Sequence, residues 1–237
     1  FFGTGIPTII MVLKQKRDNT DILIVDASKG YEKVGKNNKL RASDIKKITD
    51  VVTKRMDVHK FSRVVSRDEI RENDYNLNIP RYVDSSEKPE SWDIYASMFG
   101  GIPAKEVDEL SDYWAAFPAL KGEIFTKVND SYYELRTSDI KKAVQSSEDV
   151  RAFISRYIAS FDGFDEYLKK ELMQAMSGVN ISKEEAVLSE DIFGRLKGMP
   201  LVDAYEAYQI LDNDWNKISV DLEIIQSEGF EAVSYTH

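Results

Sequence analysis

The chain has no cysteine and only two histidines, His59 and His237, in 237 residues. Disulfides and thiolate metal sites are thereby excluded, and a histidine-based metal centre is disfavoured. No apolar run approaches the roughly 18 residues a membrane helix needs, so no membrane partner is expected. The apolar start at Phe1 has no basic leader and is broken by Gly3, Thr4, Gly5 and Pro7, unlike a secretion signal. Absence of cysteine accords with a cytoplasmic location. There is no Pro-Pro pair, no internal repeat and no low-complexity tract. What is present is ordinary for a soluble protein. A hydrophobic fraction of 42% suffices for a core, 31% of residues are charged, and the length suits one large domain or two small ones.

The net charge of −9 hides an asymmetry. Residues 1–74 hold 16 Lys/Arg against 11 Asp/Glu, a net of +5, whereas the remainder holds 16 against 30, a net of −14. Only the first part has the basic balance expected of a surface that meets phosphate. The acidic remainder suits protein contact or solubility.

The apolar runs Thr8–Leu13 and Asp21–Asp26 are short and rich in β-branched residues, and they predict strands buried on both faces of an α/β sheet. Asp18-Asn19-Thr20 between them predicts a hairpin. Residues 28–41 read as a polar loop. Ile45, Ile48, Val51 and Val52 predict a helix over 43–56. Ser66-Arg67-Asp68-Glu69 is a capping box that predicts a short helix, and Tyr75–Val83 reads as extended chain. Residues 84–91 are a polar linker. Beyond it the period turns helical. One stripe runs through Val150, Phe153, Ile154, Tyr157, Ile158 and Phe161; Gly163 interrupts it, and Phe164, Tyr167, Leu168 and Leu172 resume it. Ser182-Lys183-Glu184-Glu185 is a second capping box. Leu201, Tyr205, Tyr208, Leu211, Trp215 and Ile218 form another stripe, and 222–233 read as a terminal hairpin. The fold class is thus α/β over residues 1–84 followed by a mostly α-helical region over 85–237.

Two phrases carry chemistry. Phe1-Phe2-Gly3-Thr4-Gly5-Ile6-Pro7 sets aromatics before a tight Gly-Thr-Gly turn, where an aromatic can anchor a loop or stack on a planar ligand. It is not a dinucleotide fingerprint, since no strand precedes it, no third glycine follows and no helix comes after. Some seventy residues later comes Glu72-Asn73-Asp74-Tyr75-Asn76-Leu77-Asn78-Ile79-Pro80-Arg81-Tyr82-Val83. Its amides and tyrosines can lock backbone through side-chain hydrogen bonds. Between them, Lys33, Lys36, Lys39 and Arg41 with Asn37 and Asn38 form a basic, amide-bearing segment. Lysine and arginine neutralise phosphate, and asparagine can bond to phosphate or to base edges; the same residues also suit a plain solvated loop.

Together the two phrases resemble the end of the catalytic domain of the methyltransferase (M) subunit of type I restriction-modification systems. Further matches follow in the same order: Ile24-Val25-Asp26-Ala27-Ser28, Lys33–Leu40, Ser62-Arg63-Val64-Val65, Phe117-Pro118-Ala119-Leu120, and Met199–Tyr205 with Trp215 downstream. The resemblance implies a Rossmann-like methyltransferase sheet, of which this chain would supply the last strands. It implies transfer of a methyl group from S-adenosylmethionine to adenine N6 in DNA, beside a sequence-reading specificity (S) subunit and a restriction (R) subunit. Phe1 or Phe2 would pack on the flipped adenine; the two are not separated. The helical region would pack on the S subunit. The family's Gly-rich donor loop and Asn-Pro-Pro-aromatic motif do not occur here, and the chain opens within a motif without an initiator Met. It therefore reads as the C-terminal part of a longer enzyme, expected to be inactive alone and to bind no S-adenosylmethionine by itself. The competing class is a non-catalytic acidic helical interaction module.

Overall fold

The computed structural model describes residues 8–86, 92–174 and 176–229. The chain divides into two compact units, Phe1–Pro89 and Glu90–His237. Among the described residues no helix is long and apolar enough to cross a membrane.

In the first unit, β1 (Ile22–Val25) is followed by the short strands β2 (Glu32–Val34) and β3 (Asn37–Lys39). Next come α1 (Ala42–Lys54), β4 (Ser62–Val65) and α2 (Arg67–Glu72). β1 pairs antiparallel with β4, setting Ile22 opposite Val65 and Val25 opposite Ser62. β2 and β3 form a separate ribbon. Ile24, Val65, Ile70, Tyr82 and Val83 make the core, with Ile22 and Ile79 packed against it. On α1, Val51 is buried while Ile45 and Val52 lie exposed, so only part of the expected apolar face is used.

Polar side chains fix much of this unit. Asp44 accepts hydrogen bonds from the Arg41 backbone N–H (3.0 Å) and from Arg41 Nε (3.1 Å), closing the first turn of α1. Burial acts to raise the Asp44 carboxyl. The Arg41 side chain and N–H outweigh that and hold it below the usual carboxylate range. Buried Ser62 donates to the Met56 carbonyl (2.7 Å) and accepts from Val58 N–H (3.1 Å), which pins the turn before β4. Ser66 accepts from Glu69 N–H at the start of α2, the N-cap half of the expected box, while the Glu69 carboxylate accepts from Arg63 instead.

Four expectations are corrected here. Residues 8–13 are not a strand: they have no regular structure and stand in solvent, Ile10 at 90% exposure. A strand buried on both faces needs ladder partners and cover, and β1 pairs only with β4 among the described residues. The hairpin with Asp21–Asp26 is absent for the same reason. The polar stretch 28–41 contains the β2–β3 ribbon. Tyr75–Val83 is not extended: Asp74 and Tyr75 are left-handed (φ 54° and 57°), and a 3₁₀ turn occupies Ile79–Arg81.

The second unit begins with α3 (Ile94–Phe99), β5 (Ile102–Pro103), α4 (Ala104–Asp108), α5 (Ser111–Ala116) and α6 (Leu120–Ile124). β6 (Phe125–Lys127) and β7 (Tyr132–Leu135) complete an antiparallel sheet in the order β5-β7-β6. Then come α7 (Ile140–Ser146), α8 (Glu148–Ser160), α9 (Phe164–Leu168), a π-helical stretch at Lys169–Gln174, α10 (Ile181–Arg195) and α11 (Ala204–Glu228). Phe117, Leu120 and Ile124 form one core, onto which Val150 and Phe153 of α8 pack. Leu188, Trp215 and Leu222 form another, joining α10 to α11.

Here too the sequence expectations are corrected in part. Beside its helices the unit holds a small sheet, β5–β7, which the helical period did not announce. α10 starts two residues earlier than its expected box: Asn180 is the cap, accepting from Lys183 N–H at 3.2 Å. The terminal hairpin is replaced over 222–228 by the continuation of α11, because Leu222 keeps the helical spacing from Trp215 and is buried. Residues 230–233 lie outside the described residues. The chain is thus a mixed α/β protein, helix-rich, with small antiparallel sheets.

Candidate nucleic-acid interface

The basic segment of the first unit is the β2–β3 ribbon and its base. Its register pairs Glu32 with Lys39, Lys33 with Asn38, and Val34 with Asn37. The connection is the two-residue turn Gly35-Lys36. Gly35 has φ 62°, the positive value that such a turn requires and that glycine adopts without a Cβ penalty. All six strand residues are exposed, so the ribbon contributes nothing to the core. It can therefore offer both faces to a partner.

The six candidate residues do not stand alike. Lys33, Lys36, Asn37 and Asn38 lie together on the ribbon. Lys39 is there too, 3.8 Å from Glu32 in an exposed ion pair. Arg41 is off the ribbon at the start of α1, where its guanidinium holds Asp44. It helps fix the helix end, so its charge is already matched. The structure thus separates a structural arginine from the exposed lysines. Phe1 and Phe2 lie outside the described residues.

Asp26 directly follows β1. Its oxygens are already engaged: Oδ1 accepts from Ser28 N–H at 3.0 Å and Oδ2 from Ser85 Oγ at 2.5 Å. Burial acts to raise this carboxyl, and the hydrogen bonds from Ser28 and Ser85 outweigh it and hold it low. Lys29 Nζ donates to the Ser85 carbonyl. Asp26 and Lys29 were not marked as a pair by the sequence; residue 85 is too distant along the chain for any spacing rule to reveal them. Both Asp26 oxygens are thus taken up in holding this loop.

The amide-rich phrase behaves as a lock. Tyr82 Oη donates to the Asn76 carbonyl (2.6 Å), Asn78 N–H to Asn76 Oδ1 (2.9 Å), and Arg81 to Asn73 Oδ1 (3.2 Å). What sequence reasoning missed is its corner. Tyr75 sits in the left-handed region, sparsely populated by bulky residues, and the residue is 61% exposed. No spacing announces such a conformation.

In the second unit, an apolar groove of about 310 Å³ runs between α8–α9 and α11. Tyr157, Phe161, Phe164, Ile210 and Ile218 line its walls, and Leu188 and Ile192 are also among its lining. Among the described residues no three His, Cys, Asp or Glu side chains are grouped so as to hold a metal ion.

Residues 1–91 match the family model of the N-6 DNA methylases. The class of protein to which this part of the chain is similar is therefore that of adenine-N6 DNA methyltransferases. Among curated proteins, the chain is 39% identical over 137 residues to a type I restriction enzyme methylase subunit of Mycoplasma pneumoniae; the match covers 57% of this chain and 23% of that protein. It is 37% identical over 120 residues to a type I methylase subunit of Methanocaldococcus jannaschii, covering 47% of this chain and 21% of the relative. A solved type I methyltransferase subunit from Streptococcus thermophilus shares 46% identity over 31% of this chain and 16% of that one; at a TM-score of 0.31 the two folds are not equated. The chain spans about a fifth of the length of the curated relatives it matches. The resemblance to type I methylase subunits read from the sequence therefore holds, and the non-catalytic interaction module is not favoured.

Proposed function

We propose that this chain is part of the M subunit of a type I restriction-modification system, which transfers a methyl group from S-adenosylmethionine to adenine N6 in DNA. The observation that carries this is the match of residues 1–91 to the N-6 DNA methylases, together with 39% identity to a type I methylase subunit. On this reading residues 1–84 are the C-terminal part of the catalytic domain, whose sheet is Rossmann-like. The exposed apolar side chains of Ile9 to Leu13 support a larger domain that covers them, since such a run stands in solvent at a cost of roughly 25 cal/mol per Å² of apolar surface. The donor site falls to the larger share of the relatives that this chain does not cover.

Within this chain the work is positioning. Phe1 or Phe2 stacks on the extruded adenine and the basic ribbon meets phosphate, while Asp26, Lys29 and Ser85 hold the loop from which the ribbon springs. Residues 85–237 are an assembly region. The apolar groove between α8–α9 and α11 is where an S-subunit helix would lie, and the net charge of −14 over residues 75–237 argues against DNA as the direct ligand there. An R subunit completes the system, and the location is cytoplasmic.

The test is methyl transfer by the full-length polypeptide assembled with its S subunit, using labelled S-adenosylmethionine and duplex DNA. N6-methyladenine in the digested product is the expected result. Label in cytosine, or no transfer by an assembled complex that binds the donor, would overturn the reading.

A further inference from the structure

We infer that the β2–β3 ribbon meets duplex DNA through one face only, with Lys33, Asn38 and the turn residue Lys36 against the DNA and Glu32 and Lys39 turned away. The inference rests on the reading that the parent protein works on DNA.

The register divides the ribbon into two chemically different faces. Side chains alternate along a strand, and directly opposed residues share a face. Lys33 and Asn38 are opposed, so they project together. Glu32 with Lys39, and Val34 with Asn37, project from the other side. On that side the single acid of the ribbon lies 3.8 Å from Lys39 and offsets its charge. A phosphate approaching it would meet Glu32 as well as Lys39. On the Lys33 side no acid intervenes. Among the described residues no side-chain hydrogen bond or ion pair is formed by Lys33 or Lys36, so neither has a competing anion to leave. Lys36 stands at the apex of an open turn: a Cβ built on the neighbouring Gly35 would meet nothing within 4 Å.

Shape agrees with charge. Two strands lie about 4.8 Å apart, and a two-stranded ribbon enters the major groove of B-DNA, about 12 Å wide. An isolated two-stranded hairpin without an apolar face gains little from its own packing. This one buries none of its six strand residues, so its composition answers to a partner rather than to the core. A pair of lysines and an amide on one face, with the acid on the other, fits a polyanion with acceptors at its surface.

The experiment uses the full-length enzyme assembled with its S subunit, binding a duplex that carries the target, from low to moderate salt. The slope of log affinity against log salt counts phosphates neutralised, about 0.9 per contact on B-DNA. The double variant Lys33→Ala/Lys36→Ala is expected to lower that slope by about 2 and to raise the KM for DNA, leaving kcat and donor affinity near wild type. Lys39→Ala, on the far face, is expected to leave the slope within about half a contact of wild type. All three side chains are exposed, and matching thermal melts check that the variants fold. Equal losses in the double variant and in Lys39→Ala would overturn the one-face assignment. An unchanged slope in both would overturn the ribbon as a DNA contact while wild-type methylation still upheld the parent reading. Loss of S-subunit assembly with the slope retained would assign the ribbon to an acidic protein surface and overturn the inference too. A wild-type complex that assembles but neither binds nor methylates DNA would bring down the parent reading itself.

Discussion

The first unit is held by polar side chains reaching backbone, the second by apolar packing between helices. In the first, Asp44, Ser62, Tyr82 and Asp26 each engage backbone or loop groups around a core of five buried residues. In the second, Trp215 and Leu188 lock α10 to α11, and Phe117 meets Phe153 edge to face at 5.5 Å. A charge-assisted lock fixes a few atoms closely and depends on ionisation. A packed aromatic fixes a whole helix and responds to volume. The same contrast separates the proposed roles: loops that must present side chains at set positions, and helices that must present a face.

The contrast can be broken most directly at Trp215, which is 4% exposed. Trp215→Ala is expected to destabilise the second unit by about 3–5 kcal/mol. Amide exchange in the full chain should show lost protection in α10 and α11 with β1 and β4 unaffected. Equal loss in both units would mean that they unfold as one. Next in size is the catalytic effect of the aromatics. Base–aromatic stacking is worth about 1–3 kcal/mol, so in the full-length enzyme either Phe1→Ala or Phe2→Ala should slow methylation roughly ten- to a hundredfold with donor affinity kept. Wild-type rates in both would remove the stacking role. Asp44→Ala should cost the first unit about 1–2 kcal/mol, the range of a lost helix cap strengthened by charge. A denaturant midpoint identical to wild type would show that the Arg41–Asp44 brace is ornamental.

The smallest effect sharpens the comparison by sign. Asp26 and Asp44 are held low, so their contribution is present above the ordinary value of 3.8 and is lost as pH falls through their folded values. Glu184 on α10 is pushed up, first by burial and then by Glu171. Its stabilising contribution is full below the ordinary 4.5 and is lost as pH rises through its folded value. Acidification toward pH 4.5 should therefore firm α10 relative to neutrality, and Glu184→Gln should abolish that gain while stabilising the unit at pH 7. An exchange profile of α10 that does not change between wild type and Glu184→Gln would refute it.

Legibility followed the length and periodicity of each element. α1 and α8 have several apolar residues at helical spacing, and Ser66 has its Glu69, so these could be read directly. The strands β5, β6 and β7 have two to four residues each, too few for alternation to register. β2 and β3 are polar apart from Val34, so a ribbon looked like a loop. The tail of α11 was obscured by Ile224, Ile225 and Gly229, residues that favour strand and turn locally, while the burial of Leu222 came from tertiary packing with Leu188 and Trp215. Residues 8–13 show the opposite failure: the pattern of a buried strand is real, but burial is a property of neighbours. At the candidate site, Lys33 and Lys36 were visible as charge on a polar stretch. The separate duty of Arg41 had a signal, an acid three residues on at a helix start. The left-handed corner at Tyr75 had none.

Because the β2–β3 ribbon buries none of its strand residues, it is the part of the first unit where sequence can drift at little thermodynamic cost. Lengthening a surface connection costs only about 0.6 kcal/mol per doubling. A ribbon two residues longer, or with its lysines redistributed, would leave Ile24, Val65 and Ile70 where they are. The turn at Gly35-Lys36 is therefore the natural point at which to attach a fluorophore or a crosslinker, close to where the substrate is proposed to pass and remote from the residues that keep the unit folded.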